Sequence, residues 1–334
     1  MGFKKSDILQ LTSEGLYCAA GGFHVDPWRP VERAVITHAH ADHARAGMRS
    51  YFCAASGEAL LRERVGREAP IQSHGFAESF EVGSARVSFH PAGHILGSAQ
   101  VRVEADGQVV VVTGDHNATH AHEAAEAFEP VACDLLITES TFGLPIYQWP
   151  APHVVLAAIQ EWWAANRERG LTSVLPCYPL GKTQRILAGL EPEGPIAVVG
   201  SGRAFLTLYA ERGVRLPPVL DLTEETVPDL KGSGLVLISF AGSEPKLLSR
   251  LRPLSWGAAS GWMQIRGVRR GRDFDRGFVL SDHSDWGGLL RSVRESGARR
   301  IGVTHGQTAI FSRYLREQGW DAFPVATHFE AAGH

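Results

Sequence analysis

Residues 37–43 read Thr-His-Ala-His-Ala-Asp-His, directly after the apolar run Ala34-Val-Ile36. Three imidazoles and a carboxylate within the six positions 38–43 cannot be packed as a core, because each would need its own polar partner once buried. The cluster is suited to holding metal. In extended chain alternate side chains share a face, so His38 and His40 at a strand end point the same way and can grip one ion. Asp42 and His43 follow where the chain is expected to turn into a helix, displaced enough to hold a second ion. Imidazole nitrogen and carboxylate oxygen without thiolate suit Zn²⁺, with Mn²⁺ or Fe²⁺ as alternatives, in a site left open for water.

The remaining ligands are expected at later strand ends. His94 lies in a Gly-containing turn, Phe89-His-Pro-Ala-Gly-His-Ile-Leu-Gly-Ser-Ala99, ahead of the alternating segment Gln100 to Glu104. Asp115 follows the strand Val109 to Val112 in Thr113-Gly-Asp-His116, where a carboxylate could bridge two ions. His305 stands in Ile301-Gly-Val-Thr-His-Gly-Gln307, again at a strand end followed by Gly. Singly, such a residue is more often a cap or a turn residue. In this order, together, they form a pattern.

That pattern resembles the metallo-β-lactamase superfamily, whose signature is His-x-His-x-Asp-His followed by a His, an Asp and a last His. Leu135-Leu-Ile-Thr-Glu-Ser-Thr-Phe-Gly143 and Leu280-Ser-Asp-His-Ser-Asp-Trp286 resemble the added motifs of its β-CASP nuclease branch. The bacterial ligase-associated DNA damage response exonucleases are the most similar group. Their pattern recurs in Phe23-His-Val-Asp-Pro-Trp-Arg-Pro30, in Thr37 to Arg45 and in Glu139-Ser-Thr-Phe-Gly-Leu-Pro-Ile-Tyr147.

The resemblance implies an α/β fold, a metallo-β-lactamase αββα sandwich with an inserted β-CASP α/β lobe. Residues 1–145 and 278–334 would form the sandwich and 146–277 the insertion. It implies two divalent ions, one held by His38, His40 and His94, the other by Asp42, His43 and His305, with Asp115 on both. Asp42, Asp115, Glu139 and His283 would carry the chemistry, His283 assisting the leaving group with Glu139 orienting it; capping of the following helix is the alternative for His283. The activity implied is a metal-dependent DNA exonuclease in repair, working 5′ to 3′ on single-stranded DNA. Its setting would be alongside an ATP-dependent DNA ligase and a helicase. RNA processing is the other enzymatic possibility, since a His at the position of His305 is usual among RNA-acting members, although the ligase-associated group shares it. A non-catalytic scaffold would usually have lost ligands. A small-molecule hydrolase would need neither Glu139, His283 nor the insertion.

Composition is compatible with these expectations. At 334 residues, 44% hydrophobic and 21% charged, the chain can bury a large core and is long for one domain, so two lobes are expected. Cys18, Cys53, Cys133 and Cys177 lack Cys-x-x-Cys spacing, which argues for reduced thiols and against a thiolate zinc site or a disulfide framework. Neither a signal segment nor a membrane-spanning run is evident, and a cytoplasmic location is expected. A net charge of −3 does not announce a nucleic-acid binder. Between Arg252 and Arg276, however, six arginines stand against Asp273 and Asp275. This strip, with Arg269, Arg270 and Arg272, is either a phosphate-contacting surface or ordinary solvated surface.

Strands and turns from Leu16 to Val112, with helices after His43 and around Gly57 to Val65, suit the first part of a sandwich. A helix over Val154 to Arg169 then precedes buried strands at Ser173–Pro176, Ala197–Val199 and Leu235–Phe240, an alternation expected of a small parallel sheet. Helices over Trp286 to Ser296 and Ala309 to Gln318 should pack outside the sandwich. Pro179-Leu-Gly-Lys-Thr-Gln-Arg185 should open a helix near which Lys182 could meet a phosphate. The resemblance places that segment and Ala258-Ala-Ser-Gly-Trp-Met263, with Ser260 and Gly261, along a nucleic-acid path in a cleft between the lobes.

Overall fold

The computed structural model describes residues 2–239, 246–265 and 274–327. The chain falls into two compact units, one made of Met1–Ala121, Ala125–Gln148 and His283–His334, the other of His122–Ala124 and Trp149–Asp282. The chain therefore stays in the second unit past the expected boundary at residue 277. Strand Arg276–Phe278 pairs in parallel with Leu254–Ala259, and Phe278 and Leu280 are buried in that unit's core.

The first unit has two sheets. Strands Leu9–Leu11, Leu16–Cys18, Phe23–Val25, Ala34–Val35, Tyr51–Ala54 and Ile71–His74 form one, in chain order. The other has the spatial order Asp321–Pro324, Arg300–Gly306, Leu135–Ser140, Gln108–Val112, Ala99–Ala105, Ala85–Pro91 and Ser79–Val82. Its strands separate neighbouring side chains onto opposite faces. Val110, Val112, Leu135 and Ile137 enter the core shared with Leu9, Phe23, Val25 and Val35 of the first sheet. Val111 and Leu136 face outward onto Leu289 and Val293 of helix Trp286–Glu295 and onto Phe311 and Leu315 of helix Thr308–Glu317. On the far side, Ala34, Ile36, Tyr51 and Cys53 pack with Leu61 of helix Glu58–Val65. The layers run helix, sheet, sheet, helix.

One expected element is absent. No helix follows His43; the amides of His43 and Ala44 close a single turn onto the carbonyl of His40. Gly47, at φ 94°, is in a conformation that breaks helical continuation, and strand Tyr51–Ala54 begins soon after. All four cysteines are free, and Cys18, Cys53 and Cys177 are buried.

The second unit is built on a wholly parallel sheet, in the order Ile196–Val198, Leu235–Ser239, Thr172–Cys177, Leu254–Ala259, Arg276–Phe278. Helix Pro152–Glu168 starts with proline in its first turn, where a missing N–H costs nothing, and buries Val155, Ile159 and Trp163 at helical spacing against it.

Candidate metal centre

The topology gathers the predicted ligands at one edge. Strands Gln108–Val112, Leu135–Ser140 and Arg300–Gly306 are mutually parallel, and Ala85–Pro91 runs the same way, two antiparallel steps from Gln108–Val112. Their carboxyl ends lead into Asp115, Glu139, His305 and His94. Strand Ala34–Val35 of the other sheet leads into His38. Gly114 permits the two sheets to meet here, since at φ 56° a β-carbon on it would lie 2.6 Å from Oγ1 of Thr37.

Nδ1 of His40 lies 3.0 Å from Nε2 of His38 and 3.0 Å from Nε2 of His94. Oδ2 of Asp115 lies 3.6 Å from the former Nε2 and 3.7 Å from the latter. Four bonds of about 2.0–2.1 Å to a tetrahedral ion put ligand atoms about 3.3 Å apart, a value these separations bracket. The other carboxylate oxygen, Oδ1, is 3.4 Å from Nε2 of His43, which is itself 3.7 Å from Oδ2 of Asp42. The His305 ring stacks on that of His43 with centroids 5.2 Å apart. Asp115 thus turns one oxygen to each of two donor sets.

Hydrogen bonds fix which ring nitrogens are available. Thr37 donates its hydroxyl to Oδ2 of Asp26 at 2.6 Å, so it accepts from Nδ1 of His38 at 3.1 Å. His43 donates Nδ1–H to the same oxygen at 2.7 Å. Both rings therefore turn Nε2 towards the site, and that of His43 is buried without a hydrogen-bond partner. Burial, aided by the neighbouring imidazoles of His43 and His40, holds His38 well below the usual histidine range and keeps it a neutral donor. At His43 burial also opposes charge, but the carboxylates of Asp115 and Asp42 outweigh it and push the pKa well up. An orphaned nitrogen that its surroundings would charge, beside closely packed nitrogens, fits a divalent cation at this position.

Asp26 was missed as a site residue. It stands at φ 43° in the Val25-Asp-Pro turn and receives the Thr37 amide at 2.8 Å as well as the two bonds above. No periodicity marks it, although Phe23 to Pro30 belongs to the resembling pattern. Ser98, also missed, accepts from the amides of His94 and Ile95 at 3.0 and 3.2 Å and shapes the His94 turn. Because such outer partners typically contribute about 10–100-fold in metal affinity, Asp26→Ala is expected to weaken metal retention by that factor without unfolding the protein. Competition against a chromophoric chelator measures it; unchanged affinity would remove Asp26 from the site.

Glu139 is 1% exposed and accepts Nδ1–H of His283 through both oxygens, at 2.9 and 3.0 Å. Burial alone would raise its pKa, but the charge and hydrogen bond of His283, with His116, bring it down to about 2. The amide of His116 also donates to Glu139, at 2.9 Å. His283 is not a helix cap: Asp285 takes that place, accepting from the amide of Gly288 at 2.8 Å. Asp115, Glu139 and His283 offer atoms within 4.8 Å of one another, so His283 stands beside the donor sets.

The nucleic-acid expectations fare differently. Lys182 is 2% exposed, 2.9 Å from Oδ2 of Asp282, and donates to the carbonyl of Leu280 at 2.8 Å. Arg185 donates to the carbonyl of Ser281 and, at 3.0 Å, to Asp282. Burial lowers Lys182 to about 8 against the pull of Asp282. Lys182 is therefore an interior charge of the second unit in place of the phosphate contact expected of it. Ser260 caps the turn Gly261–Gln264 by accepting from the amide of Trp262 at 3.3 Å. Arg269, Arg270 and Arg272 lie outside the described residues.

Fold and site together define a two-unit α/β protein with a buried His/Asp cluster of metal-binding type. No family model matches the chain. Over 94% of its length it is 30% identical to a protein named "Probable DNA ligase" of Opitutus terrae, of which it covers 30%. It is 27% identical over 48% of its length to an RNase J-like protein of Methanocaldococcus jannaschii, covering 43% of it. With Drosophila melanogaster cleavage and polyadenylation specificity factor 73 it shares 28% identity over 51% of its length and 27% of that protein's. The chain spans less than half the length of these relatives. A crystal structure of an Enterococcus faecalis V583 protein of unknown function has a like fold, with a TM-score of 0.61 at 12% identity over 89% of this chain and 79% of that one. Among the described residues no helix is long and apolar enough to cross a membrane.

Proposed function

We propose that this chain is a metallo-β-lactamase-fold nuclease of the β-CASP branch that hydrolyses DNA from its 5′ end, with single strands preferred, in a repair role. The observation that carries the hydrolytic reading is Asp115, whose two carboxylate oxygens face separate sets of histidine and aspartate donors. His38, His40, His94 and Asp115 would hold one divalent ion, and Asp115, His43, Asp42 and His305 the other, Zn²⁺ being the best match to the donors. Two such ions supply an activated water at neutral pH and offset charge on a phosphoryl group. Glu139 holds Nδ1 of His283 protonated and stabilises its imidazolium form, leaving Nε2 to hand a proton to the departing oxygen.

The relative matched over nearly the whole chain bears a DNA ligase name, which supports DNA as the substrate. Direction and strand preference come from the resemblance to the ligase-associated exonucleases, as does a functional association with a ligase and a helicase. A ribonuclease is the second reading, favoured by relatives named RNase J-like protein and Endoribonuclease ysh1.

The test is to incubate metal-loaded protein with 5′- and 3′-labelled DNA and RNA, single and double stranded. Expected are immediate release of the 5′ label as short product, a shrinking ladder from the 3′ label, and DNA cut faster than matched RNA. Phosphate contacts release counterions, so cleavage at subsaturating DNA should fall with added salt. A ladder shortening from the 3′ end, or RNA preferred over DNA, overturns the assignment.

A further inference from the structure

Residues of both sheets of the first unit line a cavity of about 40 Å³. Leu16 and Val25 of one sheet and Val112 and Ile137 of the other make apolar parts of its wall, and His43 and His305 of the candidate centre also border it. Its size limits its contents. One water needs about 10–15 Å³ of such space, so about three fit, whereas pockets for organic ligands run to about 300 Å³ or more.

The polar atoms on its wall indicate what it holds. Oγ1 of Thr304, Oγ1 of Thr327 and Nε2 of His43 are all buried without a hydrogen-bond partner among the described residues. The cation proposed above accounts for His43, but neither threonine belongs to a donor set. A buried hydroxyl left unpaired costs stability, and such a group in a native interior is usually explained by a water or an ion. The wall carries a further hydroxyl, that of Thr113, which donates to the carbonyl of Gly114 at 2.6 Å and keeps lone pairs for another donor. Hydroxyls both donate and accept, so they match water, and together they supply the several polar partners that a buried water requires.

We infer that this cavity binds a short file of ordered waters, held by Thr304, Thr327 and Thr113, that supplies the water consumed beside His43 and His305. The binding of water follows from the cavity and its hydroxyls; the supplying role deepens the hydrolytic reading and rests on it. A hydrolase consumes a water for each bond it breaks, and a store inside the core of the first unit is not displaced when a substrate binds.

The sign of a stability change tests the hydration, measured on the whole, metal-loaded protein. In a dry cavity Thr304→Val would remove an unsatisfied hydroxyl and raise the melting temperature. With water bound, the same change severs a hydrogen bond and should lower it by about 2–4 °C. Thr327→Val, farther from the donors in sequence, should act in the same direction. Xenon enters dry apolar cavities, so pressurised wild-type crystals should show ordered water and no xenon in this one. An unchanged or raised melting temperature in both valine variants, or xenon in the wild-type cavity, overturns the hydrated site. Turnover in both variants should fall by about 2- to 10-fold, the effect of one lost hydrogen bond, with KM and metal content unchanged. Turnover equal to wild type overturns the supplying role. Wild type that cuts neither DNA nor RNA removes the nuclease reading and the supplying role with it, while the melting and xenon results still decide what the cavity holds.

Discussion

Asp115→Ala is expected to abolish cleavage, with a loss of about 10³-fold or more, since several kcal/mol of metal-assisted stabilisation is at stake. The reason is geometric. Oδ2 faces His38 and His94 while Oδ1 faces His43, so one truncation removes a donor from both sets. Metal analysis should find two ions per wild-type chain and a reduced content in the variant, with its circular dichroism preserved. Fully active wild type with a single ion per chain would sink the two-ion assignment.

His283→Ala should behave differently. Its Nδ1 is committed to Glu139, and it stands beside the donor sets without belonging to either in the assignment made above. Loss of a proton-transferring imidazole costs about 10²–10⁴-fold in turnover, while metal content should remain near that of wild type. Glu139→Gln should lower turnover more mildly, because the amide still accepts from Nδ1 but no longer stabilises the imidazolium. Loss of an ion on replacing His283 would make it a ligand, a possibility its closeness to Asp115 and Glu139 keeps within reach of the measurement.

Much of the site was legible in the chain. The seven predicted ligands fall within one carboxyl-end cluster, because residues that cannot be buried singly stand out in sequence when they recur after apolar strands. Strand and helix positions such as Thr172–Cys177, Pro152–Glu168 and Trp286–Glu295 were likewise foreshadowed by their apolar period. The helix expected after His43 failed, since a left-handed glycine and the following strand left room only for a turn.

By itself, then, the sequence determined which histidines and aspartates could serve as donors and the alternation of elements, which depend on residue type and local spacing. Tertiary structure alone decided the rest. Asp26 acquires its part only where folding brings its carboxylate to Thr37 and His43, eleven and seventeen residues away. Lys182 reads as an exposed cation until Asp282, a hundred residues further on, closes over it in the interior. Hydrogen bonds and ion pairs of this kind fall off within a few ångströms in space yet join residues far apart in the chain, so no reading of local pattern can assign them.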